Sequence, residues 1–305
     1  MATSNIIDLS LLPAPNVVEP LDYERILEER KARYIALFAQ DEQSAVAKAL
    51  ALESEPLAIV LQENSEREVI IRQRVNDAAR AVLLAFAQKD DLENIAAEYG
   101  VKRLLIKPAD ASAIPPTEAV YEADDALRER AQMAWEGLST AGPRDSYIFH
   151  TLSADGRISD ASAISPEPCD VLVSVLSSEG DGTASPEVLE AARRNLNDED
   201  IRPMGDRVTV QSSAIVQYSV RAVLHMKGQG PGRSVAVPTA IKACTDYVNR
   251  PRRQGVSVWR TAITAALHVE GVDHLELIEP AADMLLDATQ AGTCVAIDVT
   301  PADGA

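Results

Sequence analysis

From Ser54 to Gln88 the chain carries a pattern that leaves it few ways to fold. Leu57, Leu61, Ile71, Val75, Ala78, Val82 and Ala85 follow a three- and four-residue spacing, interrupted by Asn64 and Glu68. That spacing lines them along one face of an α-helix. Ser54-Glu55-Pro56 supplies a capping residue and a proline tolerated in the first turn. The pattern predicts a helix of about thirty residues, roughly 45 Å long at 1.5 Å per residue, which outgrows a small domain. Ile59, Val60, Val69, Ile70, Leu83, Leu84 and Phe86 add apolar surface beyond one stripe, so the helix needs more than one partner. Two readings stay open: a core helix of its own chain, or a bundle shared between subunits. Asn64, Glu68, Arg67, Arg72 and Arg74 then either fix the register of such a bundle or form a solvated face.

The segments around this helix divide the chain. Pro13, Pro15 and Pro20 predict an extended arm over residues 1–20, because each proline removes a helical N–H donor. Its apolar cluster, Ile6, Ile7, Leu9, Leu11 and Leu12, needs a surface to dock on, in its own chain or a neighbour's. Asp22 caps a helix reaching Gln40, a short helix spans Ser44 to Leu52, and another runs from Asp91 to Tyr99 and stops at Gly100. Val101 to Ile106 reads as a strand, and Asp124 to Thr140 as a helix closed by Ala141-Gly142-Pro143, where a domain boundary is placed.

Beyond it the periodicity changes. Strands are expected at Val171 to Leu176, Val208 to Gln211, Tyr218 to Met226, His274 to Ile278 and Val295 to Val299. Helices are expected from Ser185-Pro186-Glu187 to Asn197, from Ser234 to Asn249, and from Thr261 to Leu267. The fold class is α+β: an N-terminal helical region over 21–143 with a long bundle-forming helix, then two small α/β domains over 144–213 and 214–305.

Composition narrows the function. With 29 Lys+Arg against 47 Asp+Glu the 305-residue chain carries a formal charge of −18, which disfavours sequence-independent nucleic-acid binding. No apolar run approaches the roughly 20 residues of a membrane helix, and the first residues do not read as a signal peptide. Cys169, Cys244 and Cys294 are odd in number and widely spaced, which argues against a disulfide framework and a zinc knuckle and reads as cytoplasmic origin. Aromatics make up only 4%, so stacking platforms for sugars, nucleobases or flavins are few.

Nor does a catalytic motif emerge. Gly228 to Arg233 sits where a phosphate cradle would, yet it lacks dinucleotide-loop and triphosphate-loop spacing, and Pro231 removes a donor. His150, His225, His268 and His274 form no metal or triad context. Asp155-Gly156-Arg157 and Asp181-Gly182-Thr183 read as turns rather than calcium loops, and the paired carboxylates Asp90-Asp91, Asp124-Asp125 and Asp198-Glu199-Asp200 as helix ends and loops. No cofactor and no metal are expected.

A resemblance carries the reading further. Ile7 to Pro15, Ala51 to Leu57 and the run Arg72-Gln73-Arg74-Val75-Asn76-Asp77-Ala78-Ala79-Arg80 continuing to Ala85 closely resemble the baseplate J proteins of contractile-tailed phages and phage-tail-like bacteriocins. The likeness continues through Glu136 to Pro143, Ser153 to Arg157, Ala161 to Pro166, Arg202-Pro203, Asp206 to Gln211 and Ala265 to Val272, in collinear order over nearly the whole length. Where the family pattern has a glycine in the turn after the long helix, this chain has Lys89 within Gln88-Lys89-Asp90-Asp91.

The resemblance implies a structural subunit rather than an enzyme. Such proteins form the wedges of a ring around the central hub and spike. Two copies pair with one smaller wedge protein through a helical core bundle, and C-terminal domains pair with those of neighbouring wedges. The ring also meets the sheath-initiator proteins, and its outward opening triggers sheath contraction. On this reading Leu57, Leu61, Ile71, Val75, Val82 and Phe86 form much of the bundle, and Gly142 and Pro143 are hinge residues. The setting is a virion tail baseplate assembled in bacterial cytoplasm, with neither nucleic acid nor membrane as partner. Two rivals remain: a soluble α/β enzyme or nucleotide-binding protein using the 228–233 turn, and a tail-assembly chaperone.

Overall fold

The computed structural model describes residues 7–13, 15–138, 142–227, 233–249 and 252–302. In it the Asp22 carboxylate accepts from the Arg25 N–H and opens helix α1, Tyr23–Ile35. A short helix α2, Gln43–Leu50, follows, and then α3, Pro56–Ala81, with its proline in the first turn. Helix α4, Lys89–Glu98, ends where Gly100 takes a φ of +74°, a conformation open to glycine without steric cost. Lys89 itself sits at φ +50°, in the left-handed region. For an L-residue that costs roughly 1–2 kcal/mol.

The chain divides into two compact units, Ile7–Ile95 and Ala96–Ala305. In the first, α1 packs on α3. The arm lies on its own chain: Asn76 of α3 donates from Nδ2 to the Glu19 carbonyl (2.9 Å) and accepts the Glu19 N–H at Oδ1 (3.1 Å). Its distal part forms a 3-10 turn, Leu9–Leu11, with Ile7 and Leu11 exposed.

The second unit opens with strands β1, Leu105–Lys107, and β2, Val120–Tyr121, paired antiparallel. Helix α5, Asp124–Met133, runs into a 3-10 turn, Ala134–Leu138, and α6, Arg144–Leu152, follows. Strands β3 (Ile158–Ile164), β4 (Asp170–Ser177) and β5 (Arg207–Ser212) make one mixed sheet, β3 antiparallel and β5 parallel to the central β4. Helix α7, Pro186–Leu196, is the crossover between β4 and β5. Ser185 caps it with a hydrogen bond from the Val188 N–H, and Pro186 starts its first turn. Its core gathers Tyr147, Val173, Val175, Val188, Ala192 and Leu196.

A second sheet orders β7 (Val272–Glu279), β6 (Ala214–Met226) and β8 (Gln290–Pro301), β7 antiparallel and β8 parallel to β6. Helices α8, Arg233–Val248, and α9, Arg260–Leu267, pack on it over Val220, Ala222, Leu224, Cys244 and Ile263. Thus the α+β class holds, with helices first and then the β1–β2 pair and two three-stranded sheets.

Helix α3, helix α6 and strand β3 differ most from expectation. Helix α3 ends at Ala81, so Val82 is its C-cap and Phe86 lies in the turns beyond. The run Val82 to Ala87 is apolar at every position, and no single helical face can bury it. Folded into turns it brings Ala87 to 1% exposure and half-buries Leu84, Ala85 and Phe86. Helix α6 and strand β3 have no counterpart in the sequence reading. Strand β3 is built of small and polar residues, Ser159-Asp160-Ala161-Ser162-Ala163, and is covered on both faces, so its chain shows no alternation.

Candidate interaction surface

Helix α3 is inside out relative to a common amphipathic helix. Its inner face, Ala58, Leu61, Ser65, Glu68, Arg72 and Asn76, is mostly polar, with Ser65 and Asn76 buried. Each polar group there has a partner. Glu68 takes Arg30 of α1 on one oxygen and Arg72 on the other, the latter through Nε (3.0 Å) and Nη2 (2.6 Å). Arg72 also reaches Glu19 at 2.8 Å, and the Ser65 hydroxyl donates to the Leu61 carbonyl.

The outer face carries the aliphatics. Val60, Ile71, Val75 and Val82 are 51%, 56%, 52% and 73% exposed, with Arg67, Arg74 and Ala78 among them and Ile59 and Ile70 at the edge. The six bundle candidates therefore separate. Ile71, Val75 and Val82 line the outer face, Leu57 and Leu61 are half-buried on or beside the inner one, and Phe86 is half-buried past the helix end. Sequence reasoning missed Val60 as part of the same stripe, although it stands eleven residues, three turns, before Ile71.

Hydrogen bonds from Arg72 first, and then from Arg30, hold the Glu68 carboxyl below its ordinary 4.5. A carboxylate depressed in the folded state stabilises above its unfolded pKa, and that contribution is lost as pH falls through the folded value. Helix loss in the N-terminal unit on acidification should therefore start only below pH 4.5. Glu68→Gln should remove that step from a circular dichroism or NMR titration. An unchanged acid midpoint in the variant would show that the clasp is not what titrates.

Gly142 and Pro143 form the exposed entry to α6, and the Ser146 and Tyr147 N–H groups donate back to the Pro143 carbonyl. The pieces on either side of this entry share a core. Met133 belongs to the cluster around Tyr147, and a Cβ at Gly137 would stand 2.2 Å from the Phe149 ring.

The two sheets meet across a polar junction. Arg253 spans Glu129 of α5 (2.7 Å) and Asp160 of β3 (3.3 Å), while Gln254 donates its N–H to Asp160 (2.7 Å) and its side-chain amide to the Ser174 carbonyl (3.0 Å). Ser162 has Gln254 Oε1 and the Ala288 carbonyl within reach. Arg252 donates to the Asp181 carbonyl at 2.6 Å. Burial pushes the Asp160 carboxyl above its ordinary value, against the pull of Arg253.

The remaining chemical candidates are dispersed. Most of the 228–233 turn lies outside the described residues. His150 is buried in α6, His268 caps α9, and His225 and His274 stack across β6 and β7 with centroids 4.0 Å apart. Asp155 and Asp181 close turns on the backbone N–H groups of Arg157 and Thr183. Among the described residues no three or more His, Cys, Asp or Glu are placed to hold a metal ion, and no helix is long and apolar enough to cross a membrane. The three cysteines are free, and burial raises the Cys244 thiol to about 11.

Comparison with known proteins fits these features into a family. Residues 53–110 match the Baseplate J-like N-terminal domain and residues 139–212 the Baseplate J-like central domain. The chain is 53% identical over 289 residues to Baseplate protein J of Escherichia phage P2, covering 95% of both chains. A chain in the cryo-EM structure of the anti-feeding prophage baseplate, 6-fold symmetrised, aligns with a TM-score of 0.41 at 12% identity, over 59% of this chain and 43% of that one.

Proposed function

This chain belongs to the baseplate J-like family, and from that premise we propose that it is a wedge subunit whose helix α3 joins a helical bundle with other chains. It is a structural protein of the phage baseplate, located in the virion tail. In the proposed wedge, two copies combine with a smaller wedge protein, and the α/β part reaches towards neighbouring wedges, the sheath-initiator proteins and the hub and spike. Outward movement of the ring would release sheath contraction.

The observation that supports this most is the inverted face of α3. Its inner polar groups are satisfied within the chain, and its aliphatics face outward along nearly the whole helix. An exposed face of four branched aliphatics with arginines set among them supports an association surface. The proposed bundle uses Ile71, Val75 and Val82 directly, with Leu57, Leu61 and Phe86 supporting the ends.

Proteomic analysis of purified particles tests the role. The chain should be retained in finished tails, at two copies for each copy of the smaller wedge protein. Recovery only in assembly intermediates would instead identify a chaperone.

A further inference from the structure

We propose that His225, His274 and Glu276 form a binding site for a divalent ion of the zinc type on the open face of the second sheet. The site is independent of the wedge reading and uses none of the residues of the proposed bundle.

The register of β6 and β7 brings together groups that stand far apart in the sequence. His225 faces His274 directly, and Val223 faces Glu276. Both imidazoles and the carboxylate therefore share one face of the sheet, while Leu224, Leu275 and Leu277 turn to the core on the other. The two rings stack with centroids 4.0 Å apart, 6° from parallel. The His225 side chain is 34% exposed, yet its Nε2 is sealed from water and has no hydrogen-bond partner among the described residues. A buried nitrogen left bare in this way costs free energy that a ligand would recover. Glu276 Oε1 stands 4.0 Å from it, too far for a hydrogen bond. A tetrahedral zinc ion with nitrogen and oxygen ligands at about 2.1 Å holds them about 3.4 Å apart. A shift of about 0.6 Å by the exposed carboxylate thus admits the ion between them.

His274 is prepared for the same role from behind. Its Nδ1 lies 3.3 Å from the Asp273 carboxylate. An ionised carboxylate only accepts, so Nδ1 carries the hydrogen and Nε2 keeps its free lone pair. A carboxylate placed behind a histidine orients a ligating ring and raises its basicity. The parallel rings do not converge on one point as they stand, and among the described residues no three such groups are gathered at coordination distance. Convergence takes a turn of the His274 ring, whose side chain is 61% exposed, as is that of Asp273. The backbones need not move, because the sheet already holds them in register. Two imidazoles and one carboxylate suit zinc in ligand type and number, with water in the fourth position. Bound there, the ion would clasp the edge strand β7 to β6 close to the end of β6 at Met226.

The test titrates Zn2+ into the metal-free full chain by calorimetry and follows the histidine ring signals by NMR. One ion per chain should bind, moving the signals of His225 and His274 and leaving those of His150 and His268 in place. His274→Ala, at an exposed position, should abolish this event with the melting curve of the metal-free chain unchanged, and His268→Ala should keep it. Asp273→Ala should weaken binding by about tenfold. No binding at millimolar Zn2+ would refute the site. Undiminished binding to the His274→Ala chain, or shifts spread over all four histidines, would show an adventitious ion only and overturn the proposal as well.

Discussion

Replacing Glu122 by leucine should destabilise the Ala96–Ala305 unit by about 3–5 kcal/mol. Glu122 and Arg130 are almost fully buried, with side chains 3% and 6% exposed. They pair through both carboxylate oxygens. Glu122 also accepts the Leu104 N–H (2.9 Å), and Arg130 donates to the Lys102 carbonyl (2.6 Å). The pair therefore ties α5 to the strand entry at residues 102–104. Leucine in place of the acid strands a guanidinium that cannot give up its proton, together with an unsatisfied amide. A shift of about 10 °C in melting temperature follows for a unit of this size. The double variant Glu122→Leu, Arg130→Met should recover most of the loss, since removing both charges removes the desolvation cost as well. A single variant costing less than about 1 kcal/mol would mean that the site is hydrated and the pair is not buried in solution.

Ile71→Asp should abolish wedge assembly while leaving the isolated chain folded. Ile71 is more than half exposed, and substitutions at such positions move stability by no more than about 0.5 kcal/mol. In a bundle the same position would lose its branched aliphatic contact and desolvate a carboxylate, a loss that pairing with Arg67 or Arg74 one turn away would not restore. Val75→Asp should behave alike. Leu61→Asp should differ in kind, because that side chain is half-buried on the inner face and its loss should show in the melting curve before any partner is added. Co-purification of the Ile71→Asp chain with its wedge partner at wild-type yield would end the bundle reading.

Local signals in the sequence placed most of the helices. Asp22, the Ser185-Pro186 pair and Gly100 each make or break a helix through a backbone bond that needs only that residue type. The central strands β4 and β6 carry enough branched aliphatics to read as strands. Strand β3 escaped because burial on both faces selected alanine and serine over an alternating pattern. Helix α6 escaped because it starts directly after Pro143, where the sequence pointed to a boundary instead. The site was half legible. The period of α3 marked the long helix on which the proposed bundle is based, but periodicity does not tell which face turns inward. That was decided by Arg30, thirty-eight residues away in sequence, occupying Glu68. Long-range ion pairing of this sort leaves no mark in a single sequence, and it engages Glu68 and Arg72 within their own unit, half-buried against α1.

The junction at residues 252–254 has a mechanical meaning. Three consecutive side chains from the second sheet's domain are fastened to the first sheet, to α5 and to the turn at Asp181, with the contacts around Gln254 sealed from water. Bonds of that kind resist shear, because sliding the sheets would expose Asp160 and Gln254 unpaired. The link at Ser213, only one residue between β5 and β6, has no slack of its own. The two sheets are thus tied into one body, and displacing one against the other has to break these bonds first.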